Sequence, residues 1–485
     1  MTRAVVVGSG PNGLAAAVTL AASGIDVTVL EAASRHGGGT HSGELTLPGL
    51  IHDECSAAHP LAVDNAFTRR FDLGAHGLTW RWAEVEYAHP LDGGGGSAAV
   101  RSVTETADGL GRDARAWRGV FGPLASRFDG IAADMTRPML RVPDHPLAMA
   151  RFGMRAGLPS AVLARRWSTV EGRALWAGVA AHAFRPFRSV VSSAIGTALA
   201  TAAHRYGWPV AEGGSRSITD AMLALLREHG GRLETGVEVR SLDELDRPDV
   251  VILDVTPAAA ARIAGDRIPA RVSRALRRYR TAPGTFKVEF AVEGGVPWTY
   301  EPTRRAGTVH LGGTIEEIAA AERMVCRGGM PERPFVLLCQ QYLADPTRSA
   351  GDVHPIYAYA HVPSGYTGDA TAAIEAQIER FAPGFRDRIL GRHVRSTTDT
   401  AAANANLVGG DIVGGANDAL QMVFRPRPAL DPYALGAPGL YLCSASTPPG
   451  AGAHGMCGYN AATSALRHLG AGGPATAAGR GADGW

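Results

Sequence analysis

The chain opens with apolar and small residues whose order predicts a strand, a tight turn, a helix and a second strand. Val5 to Val7 form a continuous apolar run, as expected of a parallel strand that is buried on both faces. We expect an Ala- and Leu-rich helix over residues 14–22, ended by Gly24. The apolar residues 27–30 predict the next strand. This order is that of a parallel βαβ unit.

Alternation and apolar runs predict further elements along the chain. Residues 285–293 alternate as a half-buried strand, and the glycines at 93–96 form the turn of a hairpin. The other expected strands are a short one within 46–55 and those at 80–88, 98–102, 233–239, 250–254, 335–342, 356–362 and 440–443. The expected helices are 56–66, 217–229, 371–381 and 457–469.

Residues 112–204 are expected to be largely helical, and they mix apolar residues with many arginines. One interpretation is an amphipathic surface that docks on a membrane. The prolines at 138, 143, 146 and 159 would break any long amphipathic helix. We therefore favour a helical cap that covers a site on the rest of the chain.

Composition describes a globular chain without a strong charge. Of the 485 residues, 45% are hydrophobic and 19% are charged, and 48 Lys and Arg nearly balance 46 Asp and Glu. Nothing in this balance requires a nucleic acid or an anionic membrane as a partner. Peripheral membrane contact and the oligomeric state stay open.

The five cysteines are scattered and odd in number, and none forms a C-x-x-C pair. This usage suits a reducing, cytoplasmic location and argues against a disulfide framework or a zinc site, so we expect no metal. We expect no signal peptide before the first strand, and no apolar stretch is long enough to predict a transmembrane helix.

The turn after the first strand has the spacing G-x-G-x-x-G. Gly8 permits the tight turn, Gly10 allows the backbone to approach a pyrophosphate, and Gly13 lets the helix pack close to the strand. Free N–H groups and a positive dipole end would face the phosphates at the helix start. Glu31, about 20 residues further on, is placed to accept a hydrogen bond from a ribose hydroxyl.

A second motif separates FAD from NAD as the expected dinucleotide. Glu31, Arg35, Gly37, Gly38 and Thr40 read E-x-x-x-R-x-G-G-x-T. This resembles the FAD-binding signature of the amine oxidase and phytoene desaturase superfamily. The resemblance implies that the second glycine loop passes beside the FAD diphosphate.

The C-terminal stretch Tyr441 to Ala462 resembles the phytoene desaturase-like branch of that superfamily. Ser444, Ser446 and Pro448 depart from its pattern, which weakens any claim that the substrate is a carotenoid. The resemblance implies that this stretch meets the FAD phosphate and the isoalloxazine. The cofactor-binding residues expected from both motifs and the resemblance are Gly8, Gly10, Pro11, Asn12, Gly13, Glu31, Ala32, Arg35, Gly37, Gly38, Gly39, Thr40, Val237, Ser446, Gly455 and Met456.

The expected fold is α/β, with a Rossmann-type FAD-binding domain that is split in sequence. Residues 1–75, 206–275 and 425–470 are expected to form it, because a strand, glycine-rich loop and helix at the far end return to the first sheet. Residues 76–205 and 276–424 would form an inserted domain of mixed sheet and helices that holds the substrate. Residues 471–485 are expected to be a disordered tail.

Few catalytic side chains are needed, because the flavin supplies the chemistry. Lys287 resembles the strand lysine that holds a water against flavin N5 in flavin amine oxidases; the alternative is an exposed strand lysine. His454 and Tyr459, near the flavin-facing loop, and His59 could act as acid or base, or serve only as structural groups.

The resemblance implies an FAD-dependent oxidoreductase that desaturates or dehydrogenates a mostly apolar small molecule. The electron acceptor would be oxygen, a quinone or another carrier. Three alternatives stay open: a redox-neutral FAD isomerase or saturase, a flavin amine oxidase, and a non-catalytic flavin-bound interaction protein. No pair of aromatic walls over the flavin, as amine oxidases commonly have, is evident in the sequence.

Overall fold

The computed structural model describes residues 2–470, so the tail expected to be disordered, residues 471–485, lies outside the described residues. The strands are β1 (Arg3–Val7), β2 (Asp26–Glu31), β3 (Ser42–Glu44), β4 (Ile51–Asp53), β5 (Trp80–Arg81), β6 (Val85–Pro90), β7 (Gly96–Ala99), β8 (Val210–Ala211), β9 (Arg232–Thr235), β10 (Val250–Leu253), β11 (Gly284–Glu293), β12 (Ala306–Leu311), β13 (Val336–Cys339), β14 (Val353–Val362), β15 (Ile389–Arg395) and β16 (Leu440–Leu442). The helices are α1 (Pro11–Ala21), α2 (Ala66–Arg70), α3 (Val103–Gly109), α4 (Ala114–Ala125), α5 (Phe128–Met135), α6 (Pro146–Ala156), α7 (Ser160–Leu163), α8 (Val170–Ala181), α9 (Ser193–Arg205), α10 (Arg216–Glu228), α11 (Pro257–Ala264), α12 (Ala270–Arg277), α13 (Ile315–Val325), α14 (Thr371–Phe381), α15 (Thr397–Ala403), α16 (Ala419–Val423) and α17 (Met456–His468).

A parallel five-stranded sheet in the order β16-β10-β1-β2-β9 carries the glycine turn. Buried residues of α1, α10 and α17 pack against one another and the sheet in one hydrophobic core, and α11 and α12 contribute to a second core with β10 and β16. The strands come from the chain start, from residues 232–253 and from residues 440–442. This confirms the predicted Rossmann-type α/β fold. The proposed division of the chain into two domains is based on the same three segments of this sheet.

A mixed seven-stranded sheet has the order β15-β11-β14-β13-β12-β6-β7. On one face, Phe286, Val288 and Phe290 of β11 pack with α14 in an apolar core. Alternation places the polar residues of the same strand on the opposite face. We predicted that β11 would be half-buried, but it is buried from Gly284 to Val292, because protein covers its polar face as well.

The segment 103–205 is largely helical, as predicted, and packs on the polar side of this mixed sheet. Residues of α4, α8 and α9 share a core with residues of β13 and β14. The long apolar and arginine-rich segment is thus divided into short helices α3 to α9. Within residues 2–470, no helix combines the length and apolar character that crossing a membrane requires.

Several element predictions were wrong at their boundaries. Residues 56–66 do not form the expected helix; instead, Asn65 caps α2 by accepting from the Phe67 and Thr68 N–H groups, and only 66–70 are helical. The strand expected over 80–88 is divided between two sheets, because β5 pairs with β8 and β6 pairs with β7 and β12. These boundaries depend on pairing between distant segments of the chain, and local alternation carries no information about that pairing.

Close packing of α17 on α1 depends on Gly458. A β-carbon there would collide with the Asn12 carbonyl oxygen and lie 2.8 Å from the Ala16 nitrogen, both backbone atoms that cannot rotate away. We therefore expect Gly458→Ala to lower the free energy of unfolding by about 1–3 kcal/mol through overpacking. Denaturant titration followed by circular dichroism measures the change.

The control is Gly119→Ala on the exposed face of α4, where nothing lies within 4 Å of the new methyl group. This variant should be more stable by about 0.5–1 kcal/mol, because alanine loses less backbone entropy than glycine in a helix. A Gly458→Ala protein as stable as the wild type would contradict the packing described here.

Candidate active site

The first glycine turn leads directly from β1 into α1. Gly8 has φ +102°, a left-handed conformation that favours glycine, and Gly10 is the N-cap residue without a side-chain cap. A β-carbon at Gly10 or Gly13 would lie 2.9 or 3.0 Å from the Asp254 carboxyl oxygen Oδ2. The backbone at the amino end of α1, where Pro11 is the first residue, is therefore packed closely against the Asp254 carboxyl group.

The Glu31 carboxylate lies beside this turn at the end of β2. Its Oε2 accepts from the Ser9 N–H at 2.8 Å and from the Ser9 hydroxyl at 2.6 Å. Val237, 36% exposed, donates its N–H to the Glu31 carbonyl at 2.9 Å, so the segment after β9 lies at the same corner as the exposed Ala32. Asn12 Oδ1 is buried and has no hydrogen-bond partner among the described residues.

The second glycine loop contacts the first. Gly37 has φ +116°, and a β-carbon at Gly38 would lie 2.9 Å from the Gly10 Cα. The Thr40 hydroxyl holds this loop by donating to the Gly37 carbonyl at 2.8 Å. Arg35 donates to Glu54 Oε1 at 2.6 Å. The structure thus brings the two glycine motifs of the sequence together.

The third glycine-rich segment starts α17 at the same place. Gly455 is the N-cap residue with φ +71°, and a β-carbon there would lie 2.9 Å from the Ala15 Cβ of α1. Met456 begins the helix, and its N–H donates to His454 Nδ1 at 3.1 Å. Ser446 is buried and hydrogen-bonded through its hydroxyl to Ser444 at 2.7 Å.

Adjacent glycine loops, the amino end of α1, an acid at the second strand and a buried amide oxygen without a partner fit a dinucleotide. The residues expected to hold FAD therefore converge, although they come from three distant parts of the chain. Asp254, at the end of β10, also lies on this turn, and no motif in the sequence had pointed to it.

A cavity adjoins the second glycine loop and reaches the polar face of the mixed sheet. It is lined by Gly38, Gly39, His41, Glu54, Cys55, Thr285, Lys287, Tyr357, Tyr359, Arg395, Thr400, Ala403, Asn404, Leu407 and Ile412. Antiparallel pairing of β11 with β14 sets Lys287 opposite Tyr359, and β15 sets Arg395 opposite Lys287. Three strands thus supply the polar wall of the cavity.

Lys287 is 5% exposed, so the alternative of an exposed strand lysine was wrong. Its ammonium pairs with Glu289, donates to the Asp53 carbonyl, and lies 3.7 Å from the centroid of the Tyr357 ring. It is also the only lysine in the sequence, every other basic side chain of the Lys and Arg type being arginine. The presence of a single lysine among many arginines was a signal in the sequence that our motif analysis missed.

A chain of polar contacts leads from the Lys287–Glu289 ion pair to residues that do not line the cavity. Glu289 Oε2 lies 3.0 Å from His52 Nδ1, and His52 Nε2 lies 2.8 Å from the half-buried Thr46 hydroxyl. Burial alone would raise the pKa of Glu289, but Lys287 and His52 outweigh it and hold that pKa below its ordinary value. Glu289 is therefore a carboxylate at neutral pH, and Lys287 is its cation.

The remaining charges of the cavity wall are also paired. Arg395 donates to Glu54 Oε2 at 2.9 Å, and Arg35 binds the other oxygen of the same carboxylate. Burial raises the pKa of Tyr357 far above its ordinary value, and the Tyr357 hydroxyl donates to the Cys55 carbonyl at 2.6 Å. The tyrosine is therefore protonated and held in place.

Tyr357 and Tyr359 meet edge to face, with ring centroids 5.9 Å apart. The sequence analysis identified no pair of aromatic walls over the flavin, and these two rings, which line the cavity, were not singled out there. The signal was the alternation of Tyr357 and Tyr359 along β14, which places both rings on one face of the strand.

The three other predicted catalytic residues do not line this cavity. His59 is buried against Ser215, with 2.9 Å between Nε2 and the hydroxyl oxygen, and burial lowers its pKa to about 4. His454, also buried, accepts from a backbone N–H at the start of α17, and its pKa is likewise lowered to about 4. Tyr459 lies on α17 against Phe67. Both imidazoles are therefore neutral at pH 7.

His52 and Asp53 do not act as a pair, as the alternation of side chains along a strand predicted. Asp53 points away from His52, and its Oδ2 accepts from Arg348 at 2.6 Å with both side chains fully buried. Arg348 also binds Asp345 and the Ala211 carbonyl. This buried ion cluster joins the β3–β4 hairpin to the turn before β14.

Comparison with known proteins supports the fold. Residues 6–83 match a family model described as NAD(P)-binding Rossmann-like domain. The rat protein named pyridine nucleotide-disulfide oxidoreductase domain-containing protein 2 is 26% identical over 308 residues, which are 54% of this chain and 52% of the rat protein. The chain thus spans about half the length of the curated relatives that it matches.

Solved structures match over nearly the whole chain. An oxidoreductase from Methanosarcina mazei aligns with a TM-score of 0.62 and 15% identity, covering 96% of this chain and 100% of that one. Putrescine oxidase bound to putrescine aligns with a TM-score of 0.59 and 16% identity, covering 97% and 98%. At these identities the likeness establishes the Rossmann-like α/β fold with a mixed sheet.

Proposed function

We propose that the chain is an FAD-dependent oxidoreductase that dehydrogenates a mostly apolar small molecule, in the manner of phytoene dehydrogenase-like enzymes. The observation that carries the proposal is the continuity of the site. The two glycine loops touch at Gly10 and Gly38, and Gly38 lines the same cavity as Lys287 and Tyr357. A dinucleotide with a reactive ring at one end suits such a site.

FAD is favoured over a nicotinamide cofactor alone by the second glycine loop and by α17. Both lie against the first turn, so three backbone segments would enclose the dinucleotide. A bound FAD would supply the hydride-accepting chemistry of the reaction, with oxygen, a quinone or another carrier as the final electron acceptor. The start of α17 would stabilise negative charge that develops near it.

The chain's own residues would hold the substrate and move a proton. The tyrosine rings, with Cys55, Ala403, Leu407 and Ile412, supply the apolar part of the wall. The wall's ionic groups Glu54, Arg395 and Lys287 are paired with protein charges, so an uncharged substrate leaves no cation or anion unsatisfied. Lys287 would hold a water and relay a proton.

Oxidation of an amine is the second candidate function. The observation that favours it is the edge-to-face pair Tyr357 and Tyr359 beside Lys287, since aromatic walls suit an uncharged amine held over a flavin. The same experiment separates the two candidates, because each substrate class is offered in turn.

The test is an anaerobic absorbance spectrum of the purified protein, followed by mixing with candidate substrates. An oxidised flavin spectrum that bleaches with an alkene precursor or alcohol supports the first function, and bleaching only with amines supports the second. A flavin that never bleaches, while prereduced protein converts substrate without net oxidation, would indicate an isomerase. Retained flavin without turnover, together with a stable protein partner, would indicate a binding protein.

Replacing Lys287 tests the proton relay. We expect Lys287→Met to keep FAD bound but to slow the reductive or oxidative half-reaction by about 10²–10⁴-fold, the usual contribution of a positioned acid or base. Stopped-flow absorbance measures both half-reactions.

The matched variant is Lys287→Arg, which keeps a cation beside Glu289 but cannot release its proton at working pH. If Lys287 only neutralises Glu289, arginine restores the rates that methionine lowers. If it relays a proton, both variants are slow. Unchanged rates in both variants would remove Lys287 from the mechanism.

A further inference from the structure

Asp254 is an acid in an unusual place for a site that binds phosphates. It ends β10, its side chain is nearly inaccessible at 7% exposure, and its Oδ2 accepts from the Gly13 N–H at 2.9 Å. That N–H belongs to the first turn of α1, the helix end expected to face the pyrophosphate. The carboxyl group therefore accepts a hydrogen bond from one of the backbone N–H groups that would otherwise be available to a diphosphate.

The surroundings of Asp254 contain no compensating cation. Its main chain is fixed, because its N–H donates to the Val7 carbonyl at 2.7 Å and its carbonyl accepts from Asn406 at 2.9 Å. Among residues 2–470, no Lys, Arg or His side chain forms a salt bridge with it.

Three other titratable groups face Asp254 from the elements packed around it. Glu31 at the end of β2 adds negative charge, while Cys443 after β16 and Cys457 on α17 have thiol pKa values raised by burial. Burial, with a contribution from Glu31, raises the pKa of Asp254 to about 7, although the Gly13 N–H lowers it. None of these neighbours can neutralise a carboxylate.

We infer that Asp254 is a cofactor-binding residue that must be protonated when FAD binds, so that FAD binding at alkaline pH takes up one proton at this side chain. The inference rests on the proposed function, in which the dinucleotide is FAD. A carboxylate beside the two phosphate charges, in a buried site without a cation, would repel them. The neutral acid keeps the hydrogen bond from Gly13 and adds no charge.

The sign of the pH dependence follows from linkage. Below the pKa of Asp254 in the free protein, the acid is already neutral and FAD affinity is constant. Above it, each bound FAD must bring one proton with it, so the dissociation constant rises by up to tenfold per pH unit until the pKa of the FAD-bound form is passed. FAD should therefore be held most tightly at neutral and slightly acidic pH.

The experiment dilutes the holoenzyme at pH 6, 7, 8 and 9 and measures released FAD by its fluorescence. We expect the dissociation constant of the wild type to rise above pH 7, and that of Asp254→Asn to stay at the low-pH value throughout. Glu86→Gln is the matched control, since Glu86 is another buried acid with a raised pKa, but it lies in the mixed sheet. It should keep the wild-type slope.

Calorimetry of FAD binding in buffers of different ionisation enthalpy gives the number of protons taken up by the wild type, which decides the matter even if Asp254→Asn does not fold. A pH-independent dissociation constant without proton uptake, or an unchanged slope in Asp254→Asn, would overturn the inference and leave the FAD assignment intact. Failure to bind FAD at every pH would overturn the proposed function and, with it, this inference.

Discussion

Replacing Arg348 with methionine should lower the free energy of unfolding by about 3–5 kcal/mol, because it leaves a buried carboxylate without its cation. Arg348 and Asp53 are both fully buried, and the guanidinium also binds Asp345 at 3.1 Å and the Ala211 carbonyl at 2.6 Å. Burial alone would raise the pKa of Asp53, but Arg348, with hydrogen bonds from Ser215 and Ser42, outweighs burial and holds that pKa below its ordinary value. Methionine fills much of the space but offers no donor.

The stability loss in Arg348→Met should also depend on pH in a defined direction. In the wild type, the folded pKa of Asp53 lies below the unfolded one, so its contribution to stability is present above the unfolded pKa and is lost as the pH falls through the folded pKa. In Arg348→Met, burial without the guanidinium should raise the pKa of Asp53, so that its carboxyl group becomes protonated as the pH falls. The difference in free energy of unfolding between the variant and the wild type should therefore become smaller at lower pH. Denaturant titrations at pH 7 and pH 5 measure this.

Arg173→Met is the matched control, because Arg173 pairs with Glu316 at 2.6 Å on the exposed surface. Surface pairs contribute little, so this variant should lose far less stability. The double variant Asp53→Asn with Arg348→Met should recover part of the loss, since it removes the uncompensated charge. Equal losses from Arg348→Met and Arg173→Met would contradict the buried cluster.

Gly10→Val should abolish FAD retention while the fold survives. The backbone of Gly10 has φ −64° and ψ 172°, which a β-branched residue adopts readily, so the variant carries no conformational penalty. Its side chain, however, would project from the first glycine turn toward the Asp254 carboxyl oxygen, with the Cβ only 2.9 Å away. Valine would therefore push the Asp254 side chain from its place on Gly13 and disturb the amino end of α1, beside which the pyrophosphate is proposed to lie.

Flavin content, taken as the ratio of absorbance at the flavin band to that at the protein band, measures the effect, and circular dichroism checks the fold. The control is Gly43→Val on β3, where no atom lies within 4 Å of the new β-carbon. That protein should stay yellow. A Gly10→Val protein with full flavin content would show that the cofactor is bound elsewhere.

Local signals predicted the nucleotide-binding unit well. The run Val5–Val7, the glycines at 8, 10 and 13, and Glu31 each act on neighbours within about 30 residues, and β1, α1 and β2 form where expected. The return of the chain to this sheet at 250–253 and 440–442 was also predicted, because buried parallel strands have continuous apolar runs.

Polar residues on strands were harder to interpret. The alternation along β11 correctly put Lys287 and Glu289 on one face, but it could not say whether that face meets solvent or protein. The partners decide this, and they are distant: His52 lies 237 residues from Glu289, and the Asp53 carbonyl lies 234 residues from Lys287. No local pattern carries that information.

The sequence by itself determined the fold class, the glycine turn and the acid at the end of β2. These depend on backbone conformation and on spacing along the chain. Only the tertiary structure decided that Lys287 is buried against Glu289, that the two tyrosines form one wall, and that Asp254 lies on the amino end of α1. Charge and burial at those positions come from segments that meet only after folding, because solvent exclusion and pairing are properties of the packed chain rather than of any stretch of it.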